Sequence, residues 1–90
     1  MKVIYKFEVT NGGVTLPVGS KIIHAGEQLG RIVIWAIVDK KEPLNEIRMF
    51  NIYATGFDPI QDSDEFIGTV KLTSGLVYHI FEEKQGRKNG

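Results

Sequence analysis

Cysteine is absent from this chain of 90 residues. Its absence excludes disulfide bonds, thiolate metal sites and cysteine nucleophiles, and it is compatible with a reducing compartment. The chain also lacks an excess of either charge, because it has eleven basic and eleven acidic residues. A protein that binds duplex nucleic acid through many phosphates normally carries a basic excess. The zero net charge therefore argues against general nucleic-acid binding. It remains compatible with a local cluster that binds one small anion.

Long hydrophobic runs are also missing. The longest apolar run, Ile32 to Val38, is far shorter than the roughly 20 residues that a membrane-spanning helix needs. Met1-Lys2 leads into alternating sequence and not into the apolar core of a signal peptide. No long window shows helical periodicity. We therefore expect no membrane partner and no long helix.

The same apolar run is the strongest structural signal that the sequence contains. Its residues are β-branched or aromatic, which favours a strand. Alternate side chains of a strand point to opposite faces. One face therefore carries Val33, Trp35 and Ile37, and the other carries Ile32, Ile34, Ala36 and Val38. Both faces are apolar and should leave water. A sandwich, a barrel-like closure or a partner subunit would cover them.

Turn residues separate further short runs with alternating apolar side chains. Together they predict an all-β domain over residues 1–82, a small antiparallel sandwich or partly open barrel of six to seven short strands. Residues 83–90 are polar and are predicted to be a flexible tail. Gly68 within a strand indicates a bulge or a close backbone approach. The predicted strands cover residues 2–9, 14–16, 21–25, 31–39, 46–55, 65–72 and 76–82.

No strong catalytic motif is present. The sequence has no Gly-x-Ser-x-Gly elbow, no phosphate loop and no His-Glu-x-x-His. Asp58, Asp62, Asp64 and Glu65 crowd one loop and could hold calcium or magnesium, but they lack the order of an EF-hand, and aspartates also cap turns. We therefore expect no enzyme, no metal site and no cofactor. The alternative is a small hydrolase that uses His79 and a loop carboxylate as base and acid.

Several residues are candidates for ligand binding. Arg48 lies mid-strand and is either an outward solvated residue or a contact for phosphate or carboxylate. Tyr53, Thr55 and Phe57 stand where a strand enters the longest irregular segment, and they could stack on and hydrogen-bond a small planar ligand. The alternative is an ordinary strand end followed by the turn residue Gly56.

Four further residues are candidates for contacts with a ligand. Lys71 could meet a phosphate, and Tyr78 could stack on a base. His79 shares a strand face with apolar neighbours, so it is either a hydrogen-bonded structural histidine or a ligand contact. Trp35 is either a core residue or a binding platform.

Six stretches of the chain occur in one order that resembles a family of small uncharacterised proteins from tailed bacteriophages and prophages. This resemblance implies a phage origin and action in the cytoplasm of a bacterial host, and it carries over no catalytic residue. The stretches are residues 2–6, 16–22, 35–39, 48–56, 67–70 and 77–82.

These observations lead to a functional hypothesis. The chain is expected to be a non-enzymatic phage accessory protein that forms a homo-oligomer, because symmetric assembly covers apolar strand faces. It would sequester a small anionic ligand, such as a nucleotide immune signal of the host. The alternative is a structural or interaction role, as a minor virion component or as an inhibitor of a host protein.

Overall fold

The chain folds into eight strands and no helix within residues 1–10, 12–56, 60 and 64–84, which are those that the computed structural model describes. Three small antiparallel sheets result, with the strand orders β1-β4-β3, β2-β5 and β6-β8-β7. The all-β prediction is confirmed, and these sheets do not form a closed barrel. The strands are β1 (Lys2–Glu8), β2 (Val14–Pro17), β3 (Lys21–Gln28), β4 (Arg31–Asp39), β5 (Leu44–Arg48), β6 (Phe50–Ala54), β7 (Glu65–Lys71) and β8 (Val77–Glu82).

The apolar run forms β4, the central strand of the first sheet, as predicted. On its inner face Ile34 and Ala36 are fully buried. On its outer face Val33 is buried, whereas Trp35 is half-buried. The indole lies against Gly26, where an added Cβ would stand 3.2 Å from Cζ3 of the ring. The chain itself therefore covers the inner face except at the half-buried Ile32, and the outer face only in part.

All three sheets contribute to one hydrophobic core. The first and third sheets meet where β3 packs on β7, and an added Cβ at Gly68 would stand 3.2 Å from the Cβ of Ala25. The β7 register shifts between Phe66 and Gly68, so both the predicted bulge and the predicted close approach are found. The core cluster is Val9, Val14, Leu16, Ala25, Ile34, Phe50, Val70 and Ile80.

Two predicted boundaries were wrong. The single strand expected over 46–55 is two strands, β5 and β6, separated by Met49. The chain changes sheets there, because β5 pairs with β2 and β6 pairs with β8. The loop expected over 26–30 is shorter, since β3 continues to Gln28 and a turn follows with positive φ at Leu29 (53°) and Gly30 (79°).

The third sheet has a connection that bears on function. Both β6 and β7 are antiparallel to β8, so they are parallel to each other, and β7 begins at the opposite end of the sheet from the end of β6. Thr55 and Asp64, at the two ends of this connection, bond to side chains of β6 and β8 on the face that points away from the core. We call this the outer face of the third sheet.

Candidate functional site

A hydrogen-bonded row of three polar side chains crosses the outer face of the third sheet. The Thr55 hydroxyl lies 2.8 Å from Nε2 of His79, and the Thr69 hydroxyl lies 3.0 Å from Nδ1. Both ring nitrogens of His79 are thus hydrogen-bonded to a threonine hydroxyl, and the tautomer decides which of them donates. The row thus holds the imidazole in one orientation at the surface, and His79 is hydrogen-bonded as the structural alternative required.

The aromatic side chains of this face lie toward the other end of the sheet. Tyr53 and Phe66 both contact Phe81 edge to face, with ring centroids 5.4 and 5.3 Å apart. The Tyr53 hydroxyl donates to Oδ2 of Asp64 at 2.7 Å, and the Asn51 amide donates to the same oxygen at 2.9 Å. With only 9% of its surface exposed, Tyr53 anchors the start of β7 and presents little of its ring to a ligand.

A small hollow opens next to the polar row. Its volume is about 240 Å³, which is below the range of about 300–1,000 Å³ that is usual for ligand sites. It suits a single ring or a phosphoryl group and not a whole dinucleotide. Lys71 pairs in register with Val77 in the hollow wall. The lining residues are Ala54, Thr55, Gly75, Leu76, Val77 and Tyr78.

Arg48 lies at a different place, in a cleft between the second and third sheets. Its Nε and Nη2 donate to the two carboxylate oxygens of Glu82 at 2.6 and 2.9 Å, and Nη1 donates to the Ser20 carbonyl at 2.5 Å. The hydrogen bonds to Glu82 raise the pKa of Arg48 above its ordinary value, against the opposing effect of burial. Its guanidinium is therefore charged, half-buried and occupied by a carboxylate of the same chain.

The cleft around Arg48 has a volume of about 390 Å³. Four glutamates line it, including Glu46, which accepts the Gly19 N–H at 3.1 Å, and Glu65, which lies 2.7 Å from Lys84. Only two basic side chains oppose them, so the lining disfavours an anion. Sequence reasoning missed this cleft. The available signal was Glu82, which follows Tyr78 and Ile80 on the inner face of β8 and therefore had to be paired.

The predicted site residues are thus only partly brought together. Tyr53, Thr55, Lys71 and His79 share the outer face of the third sheet. Tyr78 packs from the inner face against the core and also lines the hollow. Thr55 lines the same hollow and is hydrogen-bonded to His79. Arg48 lies apart in the acidic cleft. Phe57 falls outside the described residues, as do Asp58 and Asp62.

Neither a metal centre nor a membrane span is found in the described part of the chain. No three histidine or acidic side chains within residues 1–10, 12–56, 60 and 64–84 are grouped so that they could hold a metal ion. The same residues contain no helix long and apolar enough to cross a membrane.

One family model covers the whole chain. The family is described as a domain of unknown function, DUF7352, and its model matches residues 1–90. The chain belongs to this family. No curated protein and no solved structure matches the chain. The functional argument is therefore made from the geometry of the site.

Proposed function

We propose that this protein is a non-enzymatic binding module that works as a homo-oligomer and sequesters a small anionic ligand. A nucleotide immune signal of a bacterial host is the ligand class that we favour, in keeping with the resemblance to phage proteins. The observation that supports the proposal is the Thr55–His79–Thr69 row, which lies beside the hollow and on the same face as Lys71.

Each part of this site suits one part of a nucleotide. Lys71 supplies an ammonium for a phosphate. The Thr55 hydroxyl now donates to the Val77 carbonyl at 3.3 Å, and on binding it turns this proton to a phosphate or sugar oxygen while it still accepts from His79. Tyr78 in the wall of the hollow offers an aromatic ring to a base. Because the hollow accepts one ring at most, the rest of the ligand would lie along the outer face. Arg48 has no part in this version, since Glu82 occupies its guanidinium.

The bonding of His79 supports binding without turnover. A general base needs a ring nitrogen within hydrogen-bond reach of the proton that it removes. Here a threonine hydroxyl occupies each nitrogen, at 2.8 and 3.0 Å. A hydrolase reading would require a substrate to displace one of these hydroxyls. Sequestration requires only that the row stay in place.

The test is binding followed by recovery. We would incubate the protein with cyclic mono-, di- and trinucleotides, follow its thermal unfolding, then heat-release the ligand and identify it by chromatography and mass spectrometry. We expect one nucleotide to raise the Tm and to be recovered intact. Lys71→Ala and Thr55→Val should abolish the shift, whereas the control Lys41→Ala, at an exposed turn elsewhere, should keep it. If no nucleotide changes the Tm, the sequestration proposal fails.

An interaction role is the second candidate, and exposed apolar side chains on β1 favour it. Ile4 and Tyr5 are 58% and 45% exposed, and exposed apolar side chains that lie together can form an interaction patch. In this version the protein is a minor virion component or an inhibitor of a host protein. Mass spectrometry of purified virions separates these roles, because a stoichiometric amount indicates a structural part and absence favours action on the host.

A further inference from the structure

Strand β1 lies at one side of the first sheet. Its edge that points away from β4 has no strand partner among the described residues. In the order β1-β4-β3, β1 is an outer strand. The Val9 N–H donates to the Ile32 carbonyl at 2.9 Å, and the Lys40 N–H donates to the Met1 carbonyl at 3.0 Å. Hydrogen-bonded pairs alternate along an antiparallel ladder, so the odd-numbered residues of β1 bond to β4. The even-numbered residues direct their N–H and C=O groups to the open edge.

Large apolar side chains on both faces of β1 are left exposed. Ile4 pairs in register with Ile37 on the outer face, and Tyr5 pairs with the buried Ala36 on the inner face. They are nevertheless 58% and 45% exposed. An edge strand that exposes an apolar side chain on each face and has open hydrogen-bonding groups can accept a further strand. Such a strand would cover both side chains at once.

We propose that the added strand is β1 of a second copy of this chain, antiparallel to the first about a two-fold axis that passes beside Tyr5. Two three-stranded sheets then become one sheet of six strands. The inference specifies the interface of the homo-oligomer in the proposed function, and it rests on that homo-oligomer for the choice of a second copy as occupant. The interface is closed, because a two-fold contact uses the same surface on both copies.

The charges of β1 select this register. With Tyr5 opposite Tyr5, Lys2 lies opposite Glu8 of the partner subunit, and Ile4 lies opposite Lys6 of the partner subunit. Centring the axis on Ile4 would place Lys2 opposite Lys6, and centring it on Lys6 would place Lys6 opposite itself. Like charges directly opposite destabilise a strand pair, and opposite charges stabilise it. A two-fold axis placed nearer either end of β1 would pair fewer residues of the two strands.

The side-chain environment agrees with this register. The Lys6 ammonium is hydrogen-bonded to the Gln28 side chain across β4 of its own sheet, so its charge is drawn away from the open edge and from the partner's Ile4. Glu8 already lies 3.3 Å from Arg31 in an exposed pair. A carboxylate has acceptor sites for more than one donor, and the Glu8 carboxylate can also receive Lys2 of the partner subunit.

Single-cysteine variants test both the dimer and its register, because the natural chain has no cysteine. In the proposed register Tyr5 forms a non-hydrogen-bonded pair with its symmetry mate, with Cα atoms about 4.5 Å apart, which is within the disulfide range of about 4.4–6.8 Å. We expect Tyr5→Cys to form a cross-linked dimer at least tenfold faster under mild oxidation than Thr73→Cys, an exposed turn residue of the third sheet.

Two further variants report the competing registers. Fastest cross-linking by Ile4→Cys or by Lys6→Cys would overturn the proposed register, since those residues lie on the axis of the alternatives. Equal rates for Tyr5→Cys and Thr73→Cys would overturn the strand pairing itself. Tyr5→Cys changes no charged residue of β1. Its cross-linking rate therefore reports the register that the charges of the natural strand select.

Charge reversal gives a second readout that needs no cysteine. Lys2→Glu should weaken dimerisation at least tenfold in sedimentation equilibrium, Glu8→Lys should do the same, and the double reversal should restore most of the affinity. A natural chain that stays monomeric at high concentration would overturn the inference. These experiments contain no nucleotide, so a failed dimer and a failed ligand test are separate results.

Discussion

The Arg48 guanidinium joins two strands that belong to different sheets, β5 and β8, through both oxygens of Glu82. Removing one partner of a buried ion pair leaves the other charge uncompensated, at a cost of ~3–5 kcal/mol. These two side chains keep 18% and 11% exposure, so we expect Arg48→Met to lower the free energy of unfolding by about 2–4 kcal/mol. Urea denaturation followed by circular dichroism measures the loss.

The double substitution is the control for this pair. Arg48→Met with Glu82→Leu removes both charges, so no buried charge is left unpaired, and the double variant should lose less than Arg48→Met alone. Arg48→Lys keeps the charge but loses the two-pronged contact with the carboxylate, and it should fall between the wild type and Arg48→Met. Additive losses in the double variant would contradict the view that the two side chains act as a unit.

Asp39 gives a prediction for pH. Its Oδ1 accepts the Lys41 backbone N–H at 3.1 Å and lies 3.6 Å from the N-terminal amine. The hydrogen bond from Lys41 lowers the pKa of Asp39 below the ordinary 3.8, and the amine adds to this effect. Since the folded pKa is lower than the unfolded one, ionised Asp39 stabilises the fold above its unfolded pKa. This contribution is lost as the pH falls through the folded pKa.

Carboxyl chemical shifts followed through an acid titration measure that pKa directly. We expect the midpoint of Asp39 to lie below 3.8. Asp39→Asn should remove the corresponding part of the pH dependence of unfolding, while its stability stays close to that of the natural chain at the acid end. A midpoint at or above the ordinary value would show that the Lys41 N–H does not hold the ionised form.

At the scale of strands, the contact between β3 and β7 depends on the missing side chain of Gly68. An added Cβ would lie 3.2 Å from the Cβ of Ala25, which is 5% exposed and cannot move without its strand. We expect Gly68→Ala to lower the free energy of unfolding by about 1–3 kcal/mol through overpacking. Combining it with Ala25→Gly should recover part of that loss, which urea denaturation can measure. A stabilised Gly68→Ala would show that strand propensity outweighs the contact.

The elements that could be predicted well have a local signal in the sequence. The elements that were predicted wrongly depend on pairing with strands that are distant in the sequence. The unbroken β-branched run identified β4, and a lone glycine identified the bulge in β7. The break at Met49 has no such signal, because the residues on both sides of it alternate equally well. Only the pairing with β2 and with β8 decides where one strand ends. Long-range pairing of this kind is invisible in a single short window.

The candidate site shows the same division. Thr55 and His79 were proposed as ligand contacts from residue type and position. The structure brings them into one hydrogen-bonded row, and their role in binding stays a prediction. Alternation placed Tyr78 and His79 on opposite faces, but the sequence could not decide which face the core would cover, because β8 carries apolar side chains on both. The role of Arg48 was not predictable either, since Glu82 lies 34 residues away in sequence. Residue chemistry was thus available from the sequence, whereas the identity of each partner required the fold.

At the scale of the whole molecule, the eight-residue core makes the three sheets one cooperative unit. Leu16 of the small β2-β5 sheet is completely buried in that core. Truncating a buried leucine to alanine costs about 2–5 kcal/mol, a large part of the ~5–15 kcal/mol by which a domain is stable. We therefore expect Leu16→Ala to shift the unfolding of the entire chain and not of the second sheet alone.

Trp35 provides the local probe for this test, because it is the single tryptophan and lies in the first sheet. Tryptophan fluorescence and far-ultraviolet circular dichroism should give the same urea midpoint for the natural chain, and the same lowered midpoint for Leu16→Ala. The exposed Thr15→Ala on the same strand serves as the matched control and should change both midpoints little. If fluorescence stays at the natural midpoint in Leu16→Ala while the dichroism shifts, the sheets unfold separately, and the shared core does not couple them.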